Sequence, residues 1–419
     1  MAAVRRIAEE LRRQQDTFAA LITAEMGKPL GEAAGEMEKS AVTAEYYADQ
    51  AATILADEPV PIDGVDAWVS YEPIGLVLAV MPWNFPVWQV MRFAIPSVTA
   101  GNGVLLKQSP NVTGSALALQ QLFIDAGLPE HLVTTLVVAE PDVPQVTETL
   151  INDDRIAAVT LTGSNRAGAA VGAAAGRASK KSVLELGGSD AFVVLDDADV
   201  PAAAAAVRPR YHNAGQSCVC AKRFIVAAGV ADAFTDLFVK GARALVVGDP
   251  TDRATEVGPL ARADLRDVLQ RQVEESVAAG ADLLAGGRPL DGDGFYYSPT
   301  VLANTGPGVP VFDEETLGPV AAIAVAADDA DAVRLANASP FGLSLSLWTA
   351  DRDRGVAVAK QIISGAAFIN ATTASDARVP FGGTKKSGYG RELAAAGIRE
   401  FTNIRTYWTV STPGAPPTT

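Results

Sequence analysis

Short apolar runs alternate with stretches of helical periodicity through most of the chain, and this alternation is the feature that most restricts the fold. The runs at residues 76–80, 104–107 and 157–161 are rich in branched apolar side chains. Between them, residues 115–126 and 167–178 carry the spacing of helices. Strands that alternate with helices of this length indicate βαβ units around a parallel sheet, so the pattern predicts an α/β fold.

The two ends of the chain follow different patterns. Residues 4–26 predict one amphipathic helix, and residues 32–55 predict a second. Residues 68–71 and 401–410 predict isolated strands of β-branched and aromatic side chains. Residues 412–419 form a polar, proline-containing tail that is predicted to be disordered.

Composition excludes several classes of function. With 419 residues the chain is too long for one compact core, and its formal net charge of −15 argues against a nucleic-acid partner. No apolar segment approaches the ~20 residues of a membrane span, and arginines interrupt any N-terminal signal sequence, so a cytoplasmic protein without a membrane partner is predicted. Cys218 and Cys220 are the only cysteines, and His131 and His212 the only histidines. A disulfide framework and a histidine-rich metal site are therefore not expected.

The first candidate site element is Pro82-Trp83-Asn84-Phe85-Pro86, which directly follows an apolar strand. Two prolines restrict the backbone around one amide side chain, and a held carboxamide can donate a hydrogen bond to a developing oxyanion. The alternative is that Asn84 caps the next helix while the aromatic side chains fill the core.

The second element is Leu161-Thr162-Gly163-Ser164, a strand that runs into a turn and then a helix. Gly163 would let the backbone approach a ligand, and the helix N-terminus would favour a phosphate. The segment is neither a Walker A loop nor a G-x-G-x-x-G fingerprint, and such turns are common in α/β proteins.

The third element is Leu184-Glu185-Leu186-Gly187-Gly188. A glutamate at the end of an apolar strand is costly to bury, which raises its pKa and suits a general base. The alternative, an exposed glutamate at a strand terminus, is about equally consistent with the segment alone.

The fourth element is Gly215-Gln216-Ser217-Cys218-Val219-Cys220. A cysteine after a polar, glycine-containing loop can act as a nucleophile, although a single cysteine is more often buried and inert. Cys218 and Cys220 are also spaced so that oxidation could join them in a strained, reversible bridge.

Taken in this order, the four elements resemble the motifs of the aldehyde dehydrogenase superfamily. The resemblance extends from about Ile7 to Trp408 and includes Glu314-Glu315-Thr316-Leu317-Gly318-Pro319, Pro380-Phe381-Gly382-Gly383 and Ser387-Gly388. Within the superfamily, residues 105–111 and 185–190 are most similar to bacterial succinate-semialdehyde dehydrogenases.

The resemblance implies oxidation of an aldehyde to a carboxylic acid through a covalent intermediate. Cys218 would attack the aldehyde to form a thiohemiacetal, which becomes a thioester, while Asn84 and the Cys218 backbone amide hold the oxyanion. Glu185 would activate the water that hydrolyses the thioester. Because water activation has no use in the coenzyme A-acylating branch, Glu185 argues against that branch.

The resemblance also implies a set of cofactor contacts. Lys107 would contact the adenosine ribose, Gly163 and Ser164 the pyrophosphate, and Glu315 the nicotinamide ribose. Gly187 would lie near the nicotinamide ring, and Trp83 would line the cleft.

One departure bears on the choice of cofactor. NAD-specific relatives often have a glutamate where this chain has Pro110, so a carboxylate that would repel a 2′-phosphate is absent. Lys107 and Ser109 could then accept that phosphate. NADP or NAD is therefore predicted, with NADP favoured. Leu317 stands where many relatives have a phenylalanine that packs on the nicotinamide.

For the substrate, the resemblance points to succinate semialdehyde. Arg92 lies where such enzymes can present an arginine to the distal carboxylate, and a guanidinium suits a bidentate contact. Gln89 and Arg378 are predicted to add polar contacts. His212 replaces a second arginine of some semialdehyde enzymes, so carboxylate binding is expected to be weaker or differently arranged.

The implied architecture is a Rossmann-type cofactor domain (1–55 and 74–187), an α/β catalytic domain (188–395) and a small oligomerisation strand module (56–73 and 396–411). The unpaired strand edges of that module predict a homodimer or homotetramer. Relatives carry further residues before the first helix, so either the start codon is misplaced or the first part of the cofactor domain is trimmed. The alternatives are a non-catalytic protein of the same fold, a dehydrogenase for another aldehyde, and a cofactor-independent esterase; the joint presence of Cys218 and Glu185 disfavours the first.

Overall fold

The computed structural model describes residues 1–410. Its helices are α1 (Ala2–Arg13), α2 (Gln15–Met26), α3 (Leu30–Ile54), α4 (Trp88–Thr99), α5 (Thr113–Asp125), α6 (Val143–Asn152), α7 (Asn165–Arg177), α8 (Val200–Ala204), α9 (Val207–Tyr211), α10 (Ala231–Arg243), α11 (Ala263–Ala278), α12 (Pro310–Asp313), α13 (Asp329–Asn337), α14 (Arg352–Ala359) and α15 (Ala394–Glu400). Its strands are β1 (Glu58–Ile62), β2 (Val65–Pro73), β3 (Leu76–Met81), β4 (Gly103–Gln108), β5 (Val133–Thr135), β6 (Ile156–Thr162), β7 (Lys181–Glu185), β8 (Asp190–Val194), β9 (Ala221–Ala227), β10 (Asp282–Ala285), β11 (Thr300–Ala303), β12 (Val320–Ala326), β13 (Phe341–Gly342), β14 (Ser344–Trp348), β15 (Ala366–Ile369), β16 (Thr384–Lys385), β17 (Gly388–Tyr389) and β18 (Thr402–Val410).

A six-stranded sheet in the order β17-β7-β6-β3-β4-β5 organises the first half of the chain. The pairs from β7 to β5 are parallel, and β17 joins the edge antiparallel to β7. Because parallel strands end at the same edge of a sheet, the segments that follow β3, β6 and β7 meet there. That edge collects the Asn84 segment, Gly163 and Glu185.

A seven-stranded sheet in the order β10-β11-β12-β9-β8-β14-β15 organises the second half, and only its β10–β11 pair is antiparallel. The segment that carries Cys218 runs directly into β9, a central strand of this sheet. Each of the two large sheets has its own apolar core, and the parallel strands with intervening helices confirm the predicted α/β class.

A third sheet, in the order β1-β2-β18, is antiparallel and joins residues from both ends of the chain. Trp68 pairs with Tyr407 across it, and their rings stack with centroids 4.9 Å apart. The two isolated strands expected from the sequence are therefore hydrogen-bonded neighbours.

The structure differs from the sequence-based expectation in several places. The helix predicted over 4–26 is two helices, because Gln14 leaves helical geometry (φ −99°, ψ 8°) between α1 and α2. No strand was expected between β8 and β18, yet β9, β12 and β14 lie inside the seven-stranded sheet. The bounds of the cofactor and catalytic domains stay a prediction; β17, from within 188–395, pairs with the cofactor-domain sheet.

Two further findings concern the chain as a whole. The predicted tail at 412–419, with Ser411 of the oligomerisation segment, lies outside the described residues. Over residues 1–410, no helix combines the length and the apolar character needed to cross a membrane.

Candidate active site

Two cavities meet at Cys218. The larger cavity, of about 920 Å³, opens over the carboxyl edge of the six-stranded sheet, and the smaller cavity, of about 600 Å³, lies on the other side of the thiol. Cys218 and Gln89 line both of them. Each volume is in the range of small-molecule sites, so one sulfur atom faces two separate binding spaces.

The turn before Cys218 has an unusual backbone. Asn213 (φ 52°, ψ 39°) and Ala214 (φ 51°, ψ 32°) are left-handed, and Gly215 follows at φ 72°. A Cβ on Gly215 would lie 2.2 Å from the Gly318 carbonyl oxygen, so only glycine fits. Left-handed conformations cost ordinary residues roughly 1–2 kcal/mol each, and such strain persists where surrounding contacts enforce it.

Arg210 makes some of the contacts that hold this turn in its left-handed conformation. Its side chain is 1% exposed and donates hydrogen bonds to the carbonyl oxygens of Gly215 (3.3 Å) and Gly318 (2.7 Å) and to Cys220 Sγ (3.0 Å). Cys220 in turn donates to the Ser217 carbonyl oxygen at 3.1 Å. Both cysteines are free thiols.

Lys222 contacts the other side of the segment that carries Cys218. The ammonium is fully buried and donates to the carbonyl oxygens of Ser217 (2.8 Å) and Cys218 (3.0 Å). Burial raises the pKa of the Cys218 thiol to about 12, while Arg92 and Lys222 act in the opposite direction. The resting sulfur is therefore a protonated thiol at neutral pH.

Asn84 lies beside this segment and is 7% exposed. Its side-chain Nδ2 donates to the Gln216 carbonyl oxygen at 3.0 Å, and its backbone carbonyl oxygen accepts from Asn213 Nδ2 at 2.8 Å. One of the two amide hydrogens of Asn84 is thus used internally, and the residue also belongs to the lining of the larger cavity.

A buried ion pair between Lys28 and Glu36 contacts the residues that follow Asn84. Glu36 accepts hydrogen bonds from the backbone N–H groups of Val87 and Trp88 at 2.7 Å each, and binds Lys28 at 2.5 Å. The Lys28 ammonium lies 3.8 Å from the centroid of the Phe85 ring. Glu36 therefore caps the start of α4 and anchors the turn that presents Asn84.

Glu185 occupies a different environment from the other two catalytic candidates. It is 2% exposed at the end of β7, lines neither cavity, and its Oε1 has no hydrogen-bond partner among residues 1–410. A Cβ on Gly382 would approach that oxygen to 2.7 Å. Burial, followed by repulsion from Glu392, raises the pKa of Glu185 well above its usual range. Burial therefore favours the neutral form of this carboxyl group, which faces the protein interior.

The predicted cofactor residues collect in one place. The larger cavity is lined by Trp83, Lys107, Ser109, Gly163, Ser164, Gly187 and Glu315. Lys107 is 5% exposed, and Ser164 caps α7 by accepting from the Ala167 backbone N–H at 3.3 Å. Pro110 and Leu317 belong to the same lining, as does Glu140, which the sequence analysis did not single out.

Gly187 and Glu315 lie in close contact in the lining of the larger cavity. Glu315 Oε1 accepts from the Gly188 backbone N–H at 3.0 Å and from Lys222 Nζ at 3.3 Å. A Cβ on Gly187 would lie 2.2 Å from Glu315 Oε2. Glycine at 187 is thus required for Glu315 to face the larger cavity.

The predicted substrate residues have different positions. Arg92 lines the smaller cavity, but its guanidinium forms a buried ion pair with Glu392 and lies 4.4 Å from the Phe381 ring centroid. Gln89 is 2% exposed, and its Oε1 has no hydrogen-bond partner among residues 1–410. His212 lines the smaller cavity and stacks on Phe85. Burial, with repulsion from neighbouring lysines, lowers the pKa of His212 to about 4, so it is neutral at pH 7.

Arg378 is not brought into the site. Its side chain is 76% exposed, binds Asp376 at 2.7 Å and lines neither cavity. Its neighbours at 372–375 do line the smaller cavity, whereas the predicted contact of Arg378 with the substrate is not supported by its exposed position. The side chain of Asp376, two residues before Arg378, pairs with its guanidinium at the protein surface.

Lys39 is a cation of the smaller cavity that the sequence analysis missed. It projects from α3, donates to Ser375 Oγ at 2.7 Å and lies 4.5 Å from the Trp88 ring centroid. Burial, followed by repulsion from Arg92, lowers the pKa of Lys39 to about 8. The only signal in the sequence was a lysine within an alanine-rich helix. Among the described residues, no group of three His, Cys, Asp or Glu side chains is arranged to hold a metal ion.

Comparison with known proteins gives the same family by three routes. The model of the aldehyde dehydrogenase family matches residues 1–407. The NAD(P)+ succinate semialdehyde dehydrogenase Sad of Escherichia coli (strain K12) is 52% identical over 406 residues, 97% of this chain and 87% of the relative. The NADP+ succinate-semialdehyde dehydrogenase 1 of Mycobacterium ulcerans (strain Agy99) is 49% identical, over 96% of this chain and 88% of its own.

A solved structure agrees with these relatives. The succinic semialdehyde dehydrogenase of Streptococcus pyogenes, in complex with NADP+, superposes with a TM-score of 0.94 at 37% identity. The match covers 98% of this chain and 90% of that one. With the cysteine, the amide and the two cavities in the arrangement described above, these matches establish that the chain belongs to the aldehyde dehydrogenase family.

Proposed function

We propose that this aldehyde dehydrogenase oxidises succinate semialdehyde to succinate with NADP+ or NAD+. The observation that carries the proposal is the position of Cys218 between two cavities, because the sulfur can then meet an aldehyde on one side and a hydride acceptor on the other. The relatives named for this substrate, at 49–52% identity over nearly the whole chain, support the choice of aldehyde.

Acylation begins at Cys218. Once the thiol has lost its proton, the sulfur adds to the aldehyde carbon and a thiohemiacetal forms. The free amide hydrogen of Asn84 and the Cys218 backbone N–H hold the oxygen of that adduct. NADP+ or NAD+, when bound, supplies the hydride acceptor that converts the thiohemiacetal into a thioester.

Deacylation uses Glu185. Its carboxyl group must rotate from its inward position and lose its proton before it can take a proton from water. The resulting hydroxide adds to the thioester, and the Cys218 sulfur leaves as succinate is released. The raised pKa of Glu185 makes its carboxylate a better proton acceptor than an ordinary glutamate.

The residues of the larger cavity fit a dinucleotide. Lys107 offers a cation, the N-terminus of α7 at Ser164 offers backbone N–H groups to a pyrophosphate, and Glu315 offers a carboxylate to ribose hydroxyls. NADP+ is favoured because Pro110 presents no carboxylate that would repel a 2′-phosphate. Glu140, in the same lining, carries a carboxylate that would repel such a phosphate and so favours NAD+. The NADP+ complex of the Streptococcus pyogenes enzyme supports the preference for NADP+ over NAD+.

The test is formation of reduced cofactor, followed by its near-ultraviolet absorbance. We expect turnover with succinate semialdehyde that exceeds turnover with butanal, works with NADP+ at least as well as with NAD+, and disappears in Cys218→Ala. A folded protein that turns over no aldehyde would favour the non-catalytic alternative. Ester hydrolysis without cofactor would identify the side reaction at Cys218.

We also propose that the chain forms a homodimer or homotetramer in the cytoplasm. The sheet β1-β2-β18 exposes large apolar side chains, with Ile404 and Val410 each 64% exposed and Trp408 57% exposed. Such a surface with open strand edges favours pairing with a second copy. Light scattering should give a multiple of the 43.5 kDa chain mass, and Trp408→Asp should lower it. A monomer at micromolar concentration would contradict this.

A further inference from the structure

Lys222 is a fully buried cation that lines neither cavity, and no step of the proposed reaction uses its charge. Its three ammonium hydrogens have three acceptors: the carbonyl oxygens of Ser217 (2.8 Å) and Cys218 (3.0 Å) and Glu315 Oε1 (3.3 Å). A buried charge is costly unless it is paired, and Glu315 is the carboxylate that pairs with it. Because Lys222 lies outside both cavities, any effect that it has on the reaction must pass through these contacts.

The two carbonyl oxygens belong to the peptide groups on either side of Cys218. The backbone of a residue has only two soft dihedral angles, which set how its flanking peptide planes turn about Cα. One ammonium bound to both oxygens therefore restricts both angles at Cys218, and with them the direction of its Cα–Cβ bond. Lys222 lies on β9, inside the seven-stranded sheet, and a strand gives more precise support than a loop.

The peptide group before Cys218 also carries the backbone N–H that would hold the oxyanion. Its oxygen is that of Ser217 and its N–H is that of Cys218, and no peptide bond within residues 1–410 is cis. In a trans peptide the C=O and N–H bonds point in opposite directions, so Lys222 binds one end and leaves the N–H on the far side. That N–H makes no backbone hydrogen bond within residues 1–410. A cation at the oxygen polarises the group, which makes the N–H a stronger donor.

Cys220 offers the Ser217 carbonyl oxygen a second donor without charge. Its thiol lies 3.1 Å from that oxygen, and a thiol is a weak donor. Burial opposes the charge of Lys222, but the ionised Cys220 thiol and the carboxylates of Glu315 and Asp190 raise the pKa of Lys222 above its usual value. The ammonium is therefore charged at neutral pH, and it supplies a polarisation that the thiol does not.

We propose that Lys222 is a positioning residue for acylation, which orients the Ser217–Cys218 peptide toward the oxyanion and strengthens its N–H as a donor. The inference rests on the proposed function, since it concerns the oxyanion that forms when the sulfur adds to a carbonyl carbon. It makes a residue outside both cavities a determinant of the rate. Because Glu315 binds the same ammonium, one cation holds this peptide and the carboxylate proposed for the nicotinamide ribose.

The test compares two reactions of Cys218 in the cofactor-free protein. Acylation by 4-nitrophenyl acetate passes through an oxyanion: the thiolate adds to the ester carbonyl, the adduct collapses, and 4-nitrophenolate leaves and is followed by its absorbance. Alkylation by iodoacetamide displaces iodide from a saturated carbon, so it needs the same thiolate but forms no oxyanion. It is followed by the mass of the peptide that contains Cys218. The ratio of the two rate constants therefore cancels any change in the thiolate fraction.

Lys222→Met keeps the length of the side chain and removes its charge. It should lower the ratio of acylation to alkylation by about 10- to 100-fold, less than the loss of a whole oxyanion donor, which costs about 10²–10³-fold. Lys360→Met, at an exposed lysine, is the matched control and should leave the ratio unchanged. If Lys222→Met does not fold, Lys222→Gln, which offers an uncharged donor, serves instead and should lower the ratio about 2- to 12-fold.

Two results would overturn the assignment. A wild-type ratio in the folded Lys222 variant, whether both rate constants fall or neither does, would mean that Lys222 supports only the fold or the thiol. A wild-type protein acylated no faster than Cys218→Ala would mean that no oxyanion is held at Cys218. Neither reagent requires a cofactor or succinate semialdehyde. If the wild-type protein does not oxidise that aldehyde but the ratio falls as expected, the proposed substrate is wrong and the role of Lys222 stands.

Discussion

Replacing Glu36 with glutamine removes one charge from a pair that is buried behind the active site. Lys28 is fully buried and Glu36 is 4% exposed, so the remaining ammonium would have no counter-charge and little water. Glutamine keeps an oxygen that can accept from the Val87 and Trp88 backbone N–H groups, so the helix cap survives. The predicted cost is therefore that of an uncompensated buried charge, about 3–5 kcal/mol in the free energy of unfolding.

The assay is urea unfolding at pH 7, followed by tryptophan fluorescence. Glu38→Gln on the same helix is the matched control, because its ion pair with Arg12 is 46% and 39% exposed and should contribute at most about 1 kcal/mol. Lys28→Met/Glu36→Gln removes both charges and should recover most of the loss. A cost for Glu36→Gln no larger than that of Glu38→Gln, or a double variant no more stable than the single one, would refute the reasoning.

The pH dependence of the same variant has a definite sign. Burial lowers the pKa of Lys28 below its usual value, and Glu36 opposes that shift. Without Glu36 the folded-state pKa falls further, so the penalty is fully present while Lys28 is protonated. It declines as pH rises through the folded pKa toward the unfolded value. The gap between Glu36→Gln and the wild-type protein should narrow at alkaline pH, and a gap that widens would contradict this.

Three further predictions concern the site. Glu185→Gln should acylate but deacylate about 10²- to 10⁴-fold more slowly, so rapid mixing should show a burst of reduced cofactor near one equivalent; loss of the burst would place Glu185 in acylation. Because burial raises the pKa of Cys218 to about 12, alkylation of the cofactor-free protein by iodoacetamide should rise about tenfold per pH unit from pH 6 to 9, and a plateau near neutrality would contradict this. Ala214→Gly should raise the free energy of unfolding by about 0.5–1 kcal/mol because Ala214 is left-handed, whereas Ala202→Gly, within α8, should lower it by a similar amount; urea unfolding that shows equal effects would rule out relief of strain.

Features that depend on neighbours along the chain were predictable from the sequence. The strands β3, β4 and β6 lie close to where apolar runs placed them. Cys218 and Asn84 belong to short segments whose turns and prolines are visible in the sequence. Their resemblance to family motifs adds the order in which parallel strands bring such segments to one edge.

Contacts between residues far apart in the chain were not predictable. Arg92 was expected to be free for a substrate, but its partner Glu392 lies 300 positions away, and nothing local to either residue signals the pair. Nothing in the sequence distinguishes three buried cations from ordinary exposed ones: Lys39, Arg210 and Lys222. Only the fold places them against carbonyl oxygens or in the lining of the smaller cavity. Arg378 was expected to contact the substrate, but the path of its loop, which the sequence does not show, places the side chain in solvent.

By itself, the sequence determined the α/β class and the family, and it singled out Cys218 as the candidate nucleophile, because periodicity, turn chemistry and motif order are properties of neighbouring residues. Only the tertiary structure decided which charges are paired, which carboxyl groups are buried and which charged side chains face a cavity. Those properties depend on burial and on distances of a few ångströms between side chains from different elements, where the energy of a charge changes most steeply.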